Sequence, residues 1–295
     1  MAAYTGALLL DKPTGVSSAK AVALVKRLLP KKKGVKIGHT GTLDPMASGL
    51  QVLLLGRATR LSRYVTDLDK SYTATARLGA ASDSLDADGE VTELGGSVPT
   101  EAEIRAMLPE FTGEIRQLPP MASAVKVGGE RLYKAHRRGE TVEREVRTAT
   151  VYSIQLTAYD AAESTATFEV SCGSGTYVRT LISDLVQAAG SDAYLTALRR
   201  TTVGKLGVRD AVTPDELSDK EVPARLRPMR EVVSHLPAME VDAGDCHRVA
   251  DGKPLAGAGP AGEGEALRVE HAGELLAIYR AQEGTARPEA VLCAG

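Results

Sequence analysis

Cysteine is scarce in this sequence: Cys172, Cys246 and Cys293 are the three it has. Three scattered thiols make no disulfide framework, and no CxxC pair offers a zinc site. Long apolar runs are missing as well. Stretches such as Val52–Leu55 fall far short of the ~20 residues that span a bilayer. Nor is there an excess of one charge, with 36 Lys+Arg against 38 Asp+Glu and a formal net charge of −2. A bulk polycation is excluded, so any nucleic-acid surface must be a local patch. The start, MAAYTGALLLDKP, has no basic n-region and meets Asp11 after three leucines, so no signal peptide is expected there. The composition itself is globular, with 43% hydrophobic and 25% charged residues. The 295 residues suffice for two domains, at roughly 150 residues each. A soluble, reduced protein of the cytoplasm is expected.

Periodicity places the first elements. Ala7–Leu10 is a short strand stopped by the turn formers Asp11-Lys12-Pro13-Thr14-Gly15. Ser17 or Ser18 caps a helix in which Ala21, Leu24, Val25 and Leu28 recur on one face, and Pro30 ends it. The glycine-rich stretch Gly34–Gly49 has no period and reads as a loop feeding a buried strand, Leu50–Leu55. Thr59–Val65 is predicted helical and Ser71–Leu78 a strand. Ser82–Gly89 is an acidic turn. Thr100 with Glu103 forms a capping box for a helix ending near Phe111. Gly128-Gly129 makes a hairpin turn, Thr148–Tyr159 pairs with Thr165–Cys172, and Tyr177–Ala188 is an amphipathic helix. Asp219–Pro237, mixed in charge and prolines, reads as a linker. Beyond it Leu267–Val269 and Leu275–Tyr279 are β-like.

Three stretches place polar groups where a core would reject them. In His39-Thr40-Gly41-Thr42-Leu43-Asp44-Pro45, glycine admits close backbone approach and Pro45 fixes the turn after a carboxylate. By spacing alone, Asp44 is better explained as a turn or cap residue, which is what most Asp-Pro pairs are. In Asp69-Lys70-Ser71-Tyr72 the tyrosine either packs as core or offers its ring to a base and its hydroxyl to a proton. Gly173-Ser-Gly175-Thr176-Tyr177-Val178-Arg179 opens a helix whose N-terminus suits an anion, while Arg179 could equally be a solvated charge.

Seven motifs, in order over about the first 210 residues, together resemble one family. They are LLLDKPTGVSS (Leu8–Ser18), GHTGTLDPMASG (Gly38–Gly49), DKSYTATARLG (Asp69–Gly79), DSLDADG (Asp83–Gly89), MASAVKVGGERLYKAHRRGE (Met121–Glu140), CGSGTYVRTL (Cys172–Leu181) and YLTALRRTTVG (Tyr194–Gly204). The sequence is similar to the bacterial TruB-type tRNA pseudouridine synthases. The resemblance implies an isomerase that converts uridine-55 in the T loop of tRNA to pseudouridine, with no metal or organic cofactor. It implies an α+β fold: a mixed, mainly antiparallel sheet with flanking helices, an RNA-clasping insertion and a small PUA-like C-terminal β-domain. The expected boundaries are 1–225 for the catalytic domain with the insertion at about 119–147, a linker at 226–237, and the β-domain at 238–295.

By the same resemblance Asp44 is the catalytic aspartate, Tyr72 stacks on the target base, and His39 lies near the RNA. Tyr177 and Arg179 match the tyrosine and arginine of a GTYxRT motif, and Leu198 lines the uracil pocket. Two basic clusters suit phosphate contacts. One is Lys26, Arg27, Lys31, Lys32, Lys33 and Lys36. The other, within the insertion, is Lys126, Arg131, Lys134, Arg137, Arg138, Arg144 and Arg147. The expected partner is the tRNA T arm, engaged by a monomer without a guide RNA, a membrane or a metal. The competing readings are a synthase acting on another RNA and an RNA-binding tRNA-folding chaperone.

Overall fold

In a computed structural model of the chain, residues 4–30, 34–95, 97–123 and 125–293 are described, Lys126 by its backbone alone. The chain runs β1 (Gly6–Lys12), α1 (Ser18–Arg27), β2 (Ile37–His39), β3 (Ser48–Leu55), α2 (Ser62–Thr66) and β4 (Lys70–Leu78). Next come β5 (Ala80–Ser82), β6 (Val91–Glu93), α3 (Glu101–Met107), β7 (Gly113–Gln117), β8 (Lys126–Val127), β9 (Glu130–Arg131) and α4 (Leu132–His136). The long strands β10 (Arg147–Asp160) and β11 (Thr165–Cys172) lead to α5 (Val178–Ala188), β12 (Ala193–Val203) and β13 (Leu206–Gly207). Last are α6 (Glu221–Ala224), α7 (Met229–Val232), β14 (Ala238–Glu240), α8 (Ala243–Ala250), β15 (Leu255–Ala256), β16 (Ala266–His271), β17 (Glu274–Gln282) and β18 (Thr285–Val291).

Among the described residues one sheet has the order β1-β3-β12-β4-β11-β10-β7, with β2 paired to β3 and β13 to β12. Every neighbour pair is antiparallel except β12 with β3, which matches the fold class the resemblance implies. That parallel contact is short, pairing Arg199 with Ser48 and Arg200 with Gly49. Gly49 is obligatory there: it has φ +100°, and a Cβ on it would lie 2.3 Å from the Arg200 carbonyl oxygen. The close approach seats β12 between β3, which follows the Asp44 loop, and β4, which carries Tyr72.

The main core lies between this sheet and α5, where Leu181, Ile182, Leu185 and Val186 meet Leu78, Phe168 and Leu195. A second core joins β1, β3 and α2 to Ala266, Leu275, Ile278 and Leu292 of the C-terminal sheet, whose order is β14-β16-β17-β18-β15. An ion pair and a hydrogen bond reinforce that seam: Glu289 of β18 accepts from Arg63 and from the Tyr64 hydroxyl. The segment read as a linker holds α6 and α7 and buries Val222, Val232 and Val233. Its composition hid that packing, because its apolar residues are few and lack one period. Inside the stretch read as a featureless loop, Ile37–His39 pairs with Leu53–Leu55. Among the described residues no helix is long and apolar enough to cross a membrane.

Candidate active site

Asp44 lies in the loop between β2 and β3, and α1 pins that loop. Ser18, buried at the helix start, donates its hydroxyl to the Leu43 carbonyl at 2.9 Å and accepts the Leu43 N–H at 2.8 Å. Leu43 and Met46 flank the carboxylate and are sunk in the main core. Asp44 is thus held between two apolar anchors, with its side chain 32% exposed.

Arg179 reaches it from the first turn of α5. The guanidinium is buried, 3% exposed, and divides its donors between two carboxylates: Asp44 at 2.8 Å and Asp86 at 2.9 Å. Two further donations, to the carbonyls of Ser84 at 2.5 Å and Ala122 at 2.7 Å, fix its plane. The helix start is itself held by buried Gln117, which accepts from the Tyr177 N–H at 3.0 Å and donates to its carbonyl at 3.1 Å. Tyr177 is therefore the residue before the helix, and the helix begins one position later than the periodicity placed the boundary.

Asp86 belongs to the acidic turn after β5, and its role was not read from the sequence. It is 3% exposed and accepts from the Ser84 hydroxyl at 2.6 Å and the Asp88 N–H at 3.1 Å. Backbone bonds between Leu85, Ala87 and Leu195 tie the turn to β12. The signal that marks it is the buried context of the DSLDADG motif, which composition alone cannot reveal. Burial raises the Asp44 carboxyl above its ordinary value, Arg179 counteracts this, and the neighbouring Asp86 and Asp88 add to the rise.

Two cavities meet at Asp44 and Arg179. One, of about 730 Å³, is lined by His39, Asp44, Asp86, Arg131, Tyr133, His136 and Arg137. The other, of about 500 Å³, is lined by Asp44, Lys70, Tyr72, Tyr177, Leu198 and Arg200. Tyr72 and Leu198 lie diagonally on the neighbouring strands β4 and β12, where Leu198 pairs with Ala74 and Tyr72 with Arg200. An apolar wall, an aromatic ring and a carboxylate thus surround one pocket wide enough for a base. His39 sits in the first cavity, and its imidazole is pushed down by burial and then by Arg200. Arg200, 1% exposed, is a second residue that the sequence did not single out. No group of three or more metal-ligating side chains occurs among the described residues.

The insertion carries its charges outward. Arg131, Lys134, Arg137 and Arg138 are set on its outer faces, and Arg131 and Arg137 line the larger cavity. Arg137 also lies over the Tyr133 ring at 5.6 Å. Arg138 is occupied by Glu130 at 2.8 Å and Glu140 at 2.7 Å. Arg144 donates to the Pro119 carbonyl at 2.9 Å. His136 from α4 lies 3.6 Å from Asp83, so the insertion rests against the acidic turn. The Lys126 side chain and Lys31, Lys32 and Lys33 lie outside the described residues.

Comparison with known proteins gives the same frame. The family model for the TruB family pseudouridylate synthase N-terminal domain matches residues 26–178. The chain is 45% identical over 291 residues to the tRNA pseudouridine synthase B of Burkholderia lata, covering 96% of this chain and 89% of the relative. Its identity to the enzyme of the same name from Cupriavidus metallidurans is 41% over 294 residues, covering 96% and 93%. Among solved structures, a Cbf5-Nop10-Gar1 complex superimposes with TM-score 0.75 at 26% identity, covering 98% of this chain and 85% of that one. An H/ACA RNP bound to a substrate RNA containing 2'-deoxyuridine gives TM-score 0.76 at 26% identity, with the same coverage. With more than half its length inside the family model and 45% identity across nearly all of it, this chain belongs to the TruB family of pseudouridylate synthases.

Proposed function

We propose that this enzyme isomerises uridine-55 in the T loop of tRNA to pseudouridine, with Asp44 as the catalytic carboxylate. The observation that carries the reading is the placement of Asp44, held by buried Arg179 where the two cavities meet. The larger cavity, rimmed by Arg131 and Arg137, suits an RNA backbone, and the smaller suits one extruded base. A base in a folded loop must leave its stack before its C1′ or C6 is reachable, at a cost of a few kcal/mol. The Tyr72 ring replaces part of the lost stacking.

In the reaction the C1′–N1 bond breaks, the uracil turns, and C5 joins C1′. Asp44 acts as its anion, and the Arg179 guanidinium stabilises that form. Because burial raises the carboxyl above its ordinary value, turnover should fall on the acid side at a higher pH than an unperturbed aspartate would give. Tyr72 meets the C5 proton in the last step. The proposed partner is the T arm alone, taken by a monomer of the cytoplasm without a guide RNA. Residues 1–225 form the proposed catalytic domain and 238–295 the C-terminal β-domain.

A second reading, a synthase acting on RNA within a guide particle, draws on the likeness to the H/ACA RNP structure. The 45% identity to a tRNA pseudouridine synthase B, against 26% there, favours tRNA. One assay decides: incubation with a T-arm stem-loop transcript, followed by mapping of carbodiimide-dependent primer stops. A stop at the T-loop uridine supports the reading. No stop in any tRNA, with tRNA still bound, leaves the chaperone reading.

A further inference from the structure

Arg179 and Arg200 are the large cations at the site, 3% and 1% exposed, and they are treated differently. Arg179 faces two carboxylates. Among the described residues Arg200 has no carboxylate within ion-pair distance. Its Nε donates to the Leu50 carbonyl at 2.7 Å, and one terminal nitrogen donates to the Gly41 carbonyl at 3.3 Å. Burying a guanidinium without a counter-charge is costly, so a fold that keeps one there has a use for the charge or suffers for it.

The ladder shows where that charge is aimed. Arg200 of β12 pairs directly with Tyr72 of β4. Side chains of such a pair leave the same face of the sheet. Both line the smaller cavity with Asp44, which puts the guanidinium and the phenol in one pocket. Lys70, two residues before Tyr72 on the same strand, adds a second cation; burial, then Arg200, lowers its amine to about 8. Lys70 donates to the Thr66 and Leu68 carbonyls, and Asp67 and Asp69 act on it from beyond ion-pair distance, so among the described residues neither cation of this wall has a carboxylate in direct contact.

We propose that Arg200 is a positioning residue for Tyr72: it orients the phenol and stabilises the phenolate that accepts the C5 proton. The inference rests on the reading of Tyr72 as the group that meets that proton. Once C5 has joined C1′, the C5–H bond breaks and its electron pair becomes the C5=C6 double bond. The C6=N1 pair moves onto N1, which takes a proton from solvent. The phenolate oxygen keeps the C5 proton and later releases it to solvent.

The groups around Tyr72 decide the sign. Burial disfavours the phenolate most, Arg200 favours it, and Cys172 of β11 and Asp44 disfavour it. The Cys172 thiol is pushed up to about 11 by burial and so carries no charge at neutral pH. Asp67, Lys70, Tyr177 and Arg179 are the other titratable groups lining the cavity. Removing Arg200 takes away the main group that opposes burial and Asp44, and Tyr72 ionises at higher pH.

The test is single-turnover kinetics of Arg200→Gln and Arg200→Lys on T-arm RNA carrying uridine or 5-fluorouridine at the target. The fluorinated base has no C5 proton, so its rearrangement does not need the phenolate. Arg200→Gln should lose about tenfold or more on uridine at neutral pH, and the rise of its rate with pH should move to higher pH. Rearrangement of the fluorinated base should stay within about twofold of wild type. Arg200→Lys should recover part of the uridine loss, and it decides the matter if Arg200→Gln fails to fold. Adding Arg200→Lys to Tyr72→Phe should change nothing further. If Arg200→Gln loses the same factor on both RNAs, or nothing on either, or if Arg200→Lys loses the same factor on both, the proposal is overturned. Wild-type uridine turnover by Tyr72→Phe itself would end the reading of Tyr72 as the base, and this inference with it.

Discussion

Arg179 and Arg138 each sit between two carboxylates, yet the first is 3% exposed and the second 46%. The first belongs to the sheet centre, where α5, the acidic turn and the β2–β3 loop converge. The second belongs to the insertion, whose own core is the small cluster of Met121, Leu132 and Ala135. A buried guanidinium cannot reorganise without stranding its partners, so Arg179 fixes the direction of the Asp44 carboxylate. An exposed one is screened and worth little to stability, so Arg138 can release Glu130 and Glu140 at little cost. The same three-ion arrangement thus serves fixed geometry in one place and replaceable pairing in the other.

The largest expected effect lies at the sheet centre. Asp44→Ala should reduce pseudouridine formation by a factor of about a thousand or more in single turnover. Next, Asp86→Asn breaks the buried trio and should lower stability by about 3–5 kcal/mol, read by denaturant unfolding. It also removes a negative neighbour that raises the Asp44 carboxyl, so the acid limb of its pH–rate profile should move to lower pH. An unmoved limb would mean that Asp86 serves the fold without acting on Asp44. Arg179→Lys should be nearly as harmful to turnover, because an ammonium cannot bridge both carboxylates in fixed geometry.

Smaller effects are expected in the insertion, and of another kind. Replacing Arg131, Lys134 and Arg137 together should weaken all tRNAs alike. It should also flatten the slope of log affinity against log salt, by about 0.7 for each phosphate no longer neutralised. Adding Arg138→Ala should do less than each of these, because Glu130 and Glu140 already balance its charge. An unchanged slope in the triple variant would make the cluster a solvated face. The least effect belongs to Thr100→Ala, which removes the capping box on α3 and should cost about 1 kcal/mol with turnover unchanged.

The same contrast explains what could be read from the sequence. β1, α1, the α3 capping box, the Gly128-Gly129 hairpin and the β10–β11 pair follow from local periodicity and turn chemistry, and all occur. β12 carries no usable alternation, since Arg199 and Arg200 interrupt it, and its central place depends on the close approach at Gly49. Asp44, Tyr72, Tyr177, Arg179 and Leu198 were found through motif order, and the fold brings them around one cavity. Asp86 and Arg200 escaped because a charged residue in sequence carries no mark of burial. Only the tertiary fold shows that both are nearly sealed from water. The packing of α6 and α7 was hidden for a related reason: single valines anchor them, and a single valine has no period.

The most direct test of this division of labour puts rate and affinity side by side in two variants. Asp44→Asn and the Arg131/Lys134/Arg137 triple alanine variant would each be measured for single-turnover pseudouridine formation at saturating tRNA and for tRNA Kd. Asp44→Asn is expected to fall below about a thousandth of the wild-type rate while its Kd stays within about tenfold, or ~1.4 kcal/mol. The triple variant is expected to show the reverse, a weakened Kd with a rate close to wild type. Turnover by Asp44→Asn above that level, or a triple variant that loses rate as steeply as affinity, would contradict the separation of chemistry from RNA grip.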